Sequence, residues 1–179
     1  MTPLIETPRM RLRSWTQADF DPWARLNADP RVMEFFLRTY DRDESVASAQ
    51  LIQVELEHDG YGWFVAEVKD RFPFAGVIAL QDIPFQAKFT PAYEIGWRFL
   101  PEAWGYGYAT EGARAALDLA FNRLGWREVV AMTAKINLRS QRVMERLGMT
   151  YDPTADFEHP KIPEGHRLRP HVLYRIARG

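Results

Sequence analysis

The sequence contains no cysteine. That excludes disulfides, thiolate metal sites and a cysteine nucleophile together. Lysine is nearly as scarce: of 23 cationic residues only 4 are Lys, and none lies between Lys88 and Lys135. No charge of one sign dominates, since the net charge is −1 at pH 7. A nucleic-acid binder usually carries a basic excess, and this chain has none. No apolar run approaches the roughly 18 residues that would span a membrane. Met1–Arg13 carries Glu6, Arg9, Arg11 and Arg13 and lacks an apolar centre, so it does not read as a secretory signal. Glycine and proline, 11 and 12 residues, are too few for a collagen-like or low-complexity chain. What remains is a cytoplasmic protein of 179 residues. At that length one domain over 1–179 is expected, with neither nucleic acid nor membrane as partner.

Hydrophobic periodicity supplies the elements. Arg9–Trp15 alternates, with Met10 and Leu12 on one side and three arginines on the other, as a half-buried strand does. Thr16 can cap a helix that runs to Asn27, with Asp19 in its first turn. Pro30 can open a short helix carrying Phe35 and Phe36. Arg38–Asp43 reads as a loop, and Ser45–His58 as a helix stopped at Gly60. Tyr61–Val68, Phe74–Leu80 and Ala92–Leu100 read as strands. A long helix from Gly107 to Leu124 carries an alanine-rich stripe through Ala109, Ala113, Ala116, Leu117 and Ala120. Strand Glu128–Ala134, a helix from Asn137 to Gly148, and strands near Met149–Phe157 and Leu168–Ala177 complete the chain. This order predicts a mixed α/β sheet.

Two strand-to-helix turns carry the chemistry. The first is Trp104-Gly105-Tyr106-Gly107-Tyr108-Ala109-Thr110. A helix N-terminus offers unpaired N–H groups and partial positive charge to a phosphate. Glycine lets the backbone approach such a ligand. The P-loop pattern fails here for want of a lysine, and G-x-G-x-x-G fails because its third glycine falls at Thr110. The second turn is Asn137-Leu138-Arg139-Ser140, in which Asn137 is a good N-cap and Ser140 the third helical residue. Either turn alone can be purely structural; the pair, separated by one helix and one strand, is what points to a ligand.

With those turns in view, the chain resembles the GNAT superfamily of N-acetyltransferases, and within it the ribosomal-protein N-terminal acetyltransferase-like (RimJ/RimL-type) branch. The match is carried by Leu12-Arg13-Ser14-Trp15 with Asp19, by Tyr93-Glu94-Ile95-Gly96-Trp97 through Glu111, and by Asn137-Leu138-Arg139-Ser140 through Met149, and it spans Pro3 to Arg178. The superfamily loop Gln/Arg-x-x-Gly-x-Gly/Ala maps onto Trp104-x-x-Gly107-x-Ala109, with tryptophan at a position where this branch is known to carry one. The resemblance implies a GNAT fold: a mixed, splayed central sheet of about six or seven strands flanked by about four helices. It implies acetyl-CoA as acetyl donor, with no metal. Trp104, Gly105, Tyr106, Gly107, Tyr108, Ala109 and Thr110 would hold the CoA pyrophosphate. Phe99 and Leu100 at the preceding strand end would meet the pantetheine arm, and Asn137 and Arg142 (or Arg139) would contact the cofactor from the second turn.

The implied reaction is direct acetyl transfer to a primary amine, of a protein N-terminus or a small molecule. The absence of cysteine already excludes an acetyl-cysteine intermediate. An amine must be neutral to attack a thioester, so a base is useful, and Glu94 is the candidate. A backbone N–H near Phe99 could stabilise the oxyanion. The tyrosine that many members place in the second helix is replaced here by Met144, and resemblance to the ribosomal-protein branch implies Ser140 instead as proton donor to the leaving thiolate. Phe35, Phe36, Tyr40 and Trp63, with Arg38, are candidates for the acceptor wall. His159, His166, His171 and Tyr174 are further acceptor-side candidates. A non-catalytic CoA-binding regulatory module with the same fold is the alternative. A homodimer is left open.

Overall fold

The computed structural model of the protein describes residues 5–179, so Met1–Leu4, including the start of the Pro3–Arg178 resemblance and of the non-signal segment, lie outside the described residues. Among the described residues there are nine strands in one sheet and four α-helices. β1 (Ile5–Glu6) and β2 (Met10–Arg13) lead into α1 (Phe20–Ala28) and α2 (Arg42–Asp59). β3 (Trp63–Val68), β4 (Phe72–Asp82) and β5 (Tyr93–Phe99) follow as an antiparallel meander. α3 (Tyr108–Asn122), β6 (Glu128–Ala134) and α4 (Leu138–Arg146) come next. β7 (Thr150–Tyr151), β8 (Phe157–Glu158) and β9 (Pro170–Ala177) close the sheet. Its order is β1-β2-β3-β4-β5-β6-β9-β7, with β8 also on β9. The expected six or seven strands become nine because β1, β7 and β8 are two-residue strands, too short to leave a period-2 pattern.

The core forms where the patterns placed it. Met10 and Leu12 are fully buried, as are Ala113, Ala116 and Ala120 of α3. These small side chains let α3 lie close on β4 and β5: a Cβ added at Gly112 would stand 3.2 Å from Ile78 Cγ1. At Gly76 a Cβ would stand 2.2 Å from the Arg98 carbonyl oxygen, so only glycine allows β4 and β5 to pair there.

Three local expectations are corrected. The helix expected from Ser45 begins at Arg42, inside the expected loop, because Asp41 and Glu44 form a reciprocal capping box. The helix expected at Pro30 is a chain of turns, closed by Val32 and Met33 N–H to Asp29 O and Phe36 N–H to Met33 O. The strand expected over Met149–Phe157 is split into β7 and β8 by a 3-10 turn at Pro153–Ala155, where Pro153 has no N–H to give a ladder.

Candidate active site

The site begins with a defect in the sheet. β5 pairs with β4 along its whole length. Its parallel pairing with β6 is confined to Glu94 and Val130. Beyond that point the strands part. The gap is a cleft of about 1440 Å³. Ile95–Phe99 line one wall, Met132–Ala134 the other, and both strand-to-helix turns its mouth. At the far end of β5, Trp104 Nε1 donates to Phe99 O at 2.8 Å. A strand residue turns its N–H and C=O to the same side, so Phe99 presents both to the open edge, away from β4.

The first turn is built by glycine. Gly105 and Gly107 adopt φ of 83° and 82°, where L side chains are strained, although a Cβ at Gly105 would meet nothing within 4 Å. Their role is conformational, since they aim the start of α3 into the cleft. The N–H groups from Tyr106 to Thr110 donate to no protein acceptor among the described residues. Such a run can receive an anion. Two arginines clamp it. Arg9 donates from Nη1 to Tyr106 O at 3.0 Å and pairs with Glu111, which also accepts from Thr7 Oγ1 at 2.6 Å. Arg71 donates from Nη2 to the Tyr106 hydroxyl at 2.8 Å and lies 4.1 Å from its ring centroid. Arg114, Arg142 and Arg146 line the same end of the cleft, and no carboxylate pairs with them among the described residues.

The second turn is fixed by Asn137. Its Oδ1 accepts from Ser140 N–H at 3.2 Å and its Nδ2 donates to Thr133 Oγ1 at 2.9 Å, so its side-chain amide is held at both ends. The Ser140 hydroxyl has no protein partner among the described residues and Ser140 lines the cleft. Met144, one turn on, is buried. Arg139 pairs with Glu34 and stacks 4.8 Å from Trp104, tying this turn to the 30–37 segment and to the first turn.

Glu94 sits at the floor, where the strands part. A chain of hydrogen bonds reaches it from β3: Trp63 Nε1 donates to Gln81 Oε1 at 2.7 Å, and Gln81 Nε2 donates to Glu94 Oε2 at 3.0 Å. Indole N–H can only donate, so it fixes which end of the Gln81 amide faces Glu94. No arginine or lysine pairs with this carboxylate among the described residues. Burial pushes its pKa up to about 7, and the bond from Gln81 opposes that shift without cancelling it.

Most of the expected site residues converge on the cleft: Glu94, Phe99, Trp104–Thr110, Asn137, Ser140, Arg142, Phe35, Phe36 and Trp63 all line it. Two do not. Leu100 is buried and its N–H donates to Ala75 O at 2.9 Å. Tyr40 stands outside, its ring 4.4 Å from the Arg38 guanidinium. His159 and His171 meet at 4.8 Å between ring centroids and line the cleft, whereas His166 does not. Burial, with His171 and Lys161 adding, pushes His159 down to about 4, so it is neutral and a weak base at pH 7. Tyr174 is buried and stacks on Tyr151, away from the cleft.

The Arg9–Glu111 clamp, Gln81 and Arg98 join the site beyond the residues expected from the sequence. The clamp joins residues 102 apart and leaves no local signal. Gln81 had one, as a polar residue ending an otherwise apolar strand. Arg98 had another, because Glu94, Gly96 and Arg98 alternate with the apolar Ile95, Trp97 and Phe99 and so mark a face of β5 that is not core.

Residues 9–150 match the family described as Acetyltransferase (GNAT) domain. The chain is 32% identical over 185 residues to the FsC-acetyl coenzyme A-N(2)-transacetylase of Aspergillus fumigatus, with 98% of this chain and 77% of that protein covered. It is 34% identical over 172 residues to the uncharacterized N-acetyltransferase YnaD of Bacillus subtilis, covering 96% of this chain and 95% of the relative. A solved acetyltransferase (GNAT family) structure from Bacillus anthracis shares the fold, with a TM-score of 0.81 at 23% identity over 98% of each chain.

Proposed function

The chain belongs to the acetyltransferase (GNAT) family and is an N-acetyltransferase, and from that premise we propose that it moves the acetyl group of acetyl-CoA directly to a primary amine with Glu94 as general base. The carrying observation is the placement of Glu94. It is a half-buried carboxylate without a cationic partner among the described residues, with its pKa pushed up to about 7 by desolvation, and it stands where the two strands separate.

Acetyl-CoA supplies a thioester whose acetyl carbon takes the amine nitrogen and whose sulfur leaves as thiolate. The chain's residues fit its charges. The N–H groups of Tyr106 to Thr110 take the pyrophosphate, and Arg114, Arg142 and Arg146 face its phosphates without having to break a salt bridge. Phe99 offers its open-side N–H to the developing oxyanion. Glu94 accepts the amine proton, directly or through one water. Ser140, its hydroxyl unspent, donates a proton to the leaving sulfur. A thiol pKa of about 8.5 makes that help modest. Phe35, Phe36 and Trp63 wall the acceptor side.

The same reading takes residues 1–179 as one acetyltransferase domain, cytoplasmic, near the RimJ/RimL-type branch; the branch rests on the Trp104–Thr110 loop and the Asn137–Ser140 turn. An acceptor screen that follows release of free CoA thiol tests the function. Turnover of a primary amine that E94Q abolishes is expected. Tight CoA binding with no turnover of any amine would refute it in favour of a CoA-binding regulatory module.

A further inference from the structure

Arg98 is a half-buried cation whose Nε is fully enclosed, and the protein does not neutralise it. Its guanidinium carbon lies 4.6 Å from the Trp23 ring centroid, 4.8 Å from Phe36 and 5.4 Å from Trp63. Nη1 donates to Asn27 Oδ1 at 2.8 Å and touches Met33 Sδ at 3.3 Å. Nε is buried with no partner. No carboxylate pairs with Arg98 among the described residues. Arg13 makes the contrast: it is also largely enclosed, and it has both Asp19 and Glu67. Withdrawing a charge even partly from water without a counter-ion is costly. Aromatic faces offset only part of that cost.

The position is informative. Arg98 lines the cleft and shares a face of β5 with Glu94. Four residues of strand set their Cα atoms roughly 13 Å apart. Between them stands Gly96, where an added Cβ would meet nothing within 4 Å. The fork edge formed by Nε and Nη2 is unused by the protein among the described residues. Two parallel donors on one guanidinium edge match the two oxygens of a carboxylate. Phe36, whose ring lies against the guanidinium face and not across its edge, is 41% exposed and sits on the turn segment at the cleft.

We propose that Arg98 anchors a carboxylate of the acceptor, so that the substrate is an amine that also bears a carboxylate, with its nitrogen at Glu94 and its anionic end at Arg98. The inference rests on the amine-acetyltransferase reading and narrows it. Polyamines, which carry only positive charge, are disfavoured by the same residue.

The test pairs each acceptor with its neutral twin. Amino acids are assayed against their amides, and the dipeptides Ser-Asp amide against Ser-Asn amide, with acetyl-CoA and thiol detection. The free amino acids exceed their amides in kcat/KM by about 10- to 100-fold if the carboxylate comes from a small molecule; the Asp peptide exceeds its Asn twin if it comes from a peptide side chain. In R98Q the acid-to-amide ratio falls to about one through KM, and R98K, which keeps the charge but loses the fork, restores part of it. An unchanged Kd for acetyl-CoA shows that the variants are folded. Should they fail to fold, the wild-type ratios decide alone. Acids and amides acetylated equally, or spermidine preferred over every carboxylate-bearing amine, overturns the inference and leaves the acetyltransferase reading intact. No acetylation of any amine overturns both.

Discussion

Replacing Glu94 with Gln should cost activity and add stability, and the added stability should depend on pH. The carboxyl group titrates near 4.5 in an unfolded chain and near 7 in the fold. Between those values the folded protein holds a proton that the unfolded chain has lost. Wild-type stability therefore falls as pH rises from about 4.5 to 7, and it stays low above 7. A shift of that size corresponds to about 3 kcal/mol at full burial. Glu94 opens partly to the cleft, so about 2 kcal/mol is the fairer figure. For a chain of this length, that is a rise in Tm of roughly 4–8 °C for E94Q over wild type at pH 8. The difference should shrink toward zero below pH 4.5, where both side chains are neutral. Gln81 still donates to the new amide, so the local hydrogen bond survives the change. Thermal melts of the two ligand-free proteins from pH 4.5 to 8 measure it. Equal Tm values at pH 8, or a gap that does not change with pH, would refute the claim that Glu94 is a desolvated acid.

Four further outcomes follow from the geometry. In wild type, kcat/KM should rise with pH through about 7 as Glu94 loses its proton, and in E94Q the rate should fall at least about 100-fold with that inflection gone; steady-state assays across pH 5.5–9 decide it. Ser140→Ala should lower kcat about tenfold and leave the KM for acetyl-CoA unchanged, since the leaving thiolate needs little acid help; an unaltered kcat would remove Ser140 from the reaction. Gly107→Ala, at φ 82°, should cost about 1 kcal/mol of stability and weaken CoA binding, measured by melts and calorimetry. Gly76→Ala should destabilise the fold by about 3 kcal/mol or more, because its Cβ would enter the space of the Arg98 carbonyl; denaturant melts measure this.

Much of the scaffold is legible before any coordinates. The stripe of α3 and the alternation of β2 are strong periodic signals, and both appear where the pattern puts them. Turn chemistry is legible where one residue dictates it, as at Gly60, which caps α2 at φ 75°. The 30–37 segment misleads because Pro30 and its aromatics satisfy a helical pattern, whereas Phe36 and Phe35 lie against Arg98 and Arg139, which belong to distant parts of the chain. Of the site, the two turns and Glu94 are visible because backbone geometry or strand position calls for those residue types. The partners that tune them are not. Gln81 acts on Glu94 only through the register of β4 and β5, and Arg9 reaches Glu111 only once β2 lies beside α3. Such contacts are properties of the assembled sheet rather than of any window of sequence.

The single pairing of Glu94 with Val130 also has a mechanical meaning. β1–β5 form one wing of the sheet and β6–β9 the other, and among the described residues Glu94–Val130 is the one register pair that joins them. The seam between the wings passes through Glu94, and α3, packed on β4, β5 and β6, spans it. A ligand whose amide groups bond to the exposed edge of β5 acts as a splint across the seam, a non-peptide strand inserted into the ladder. Such a splint would bear on the distance between Glu94 and the second turn, because the two stand on opposite wings.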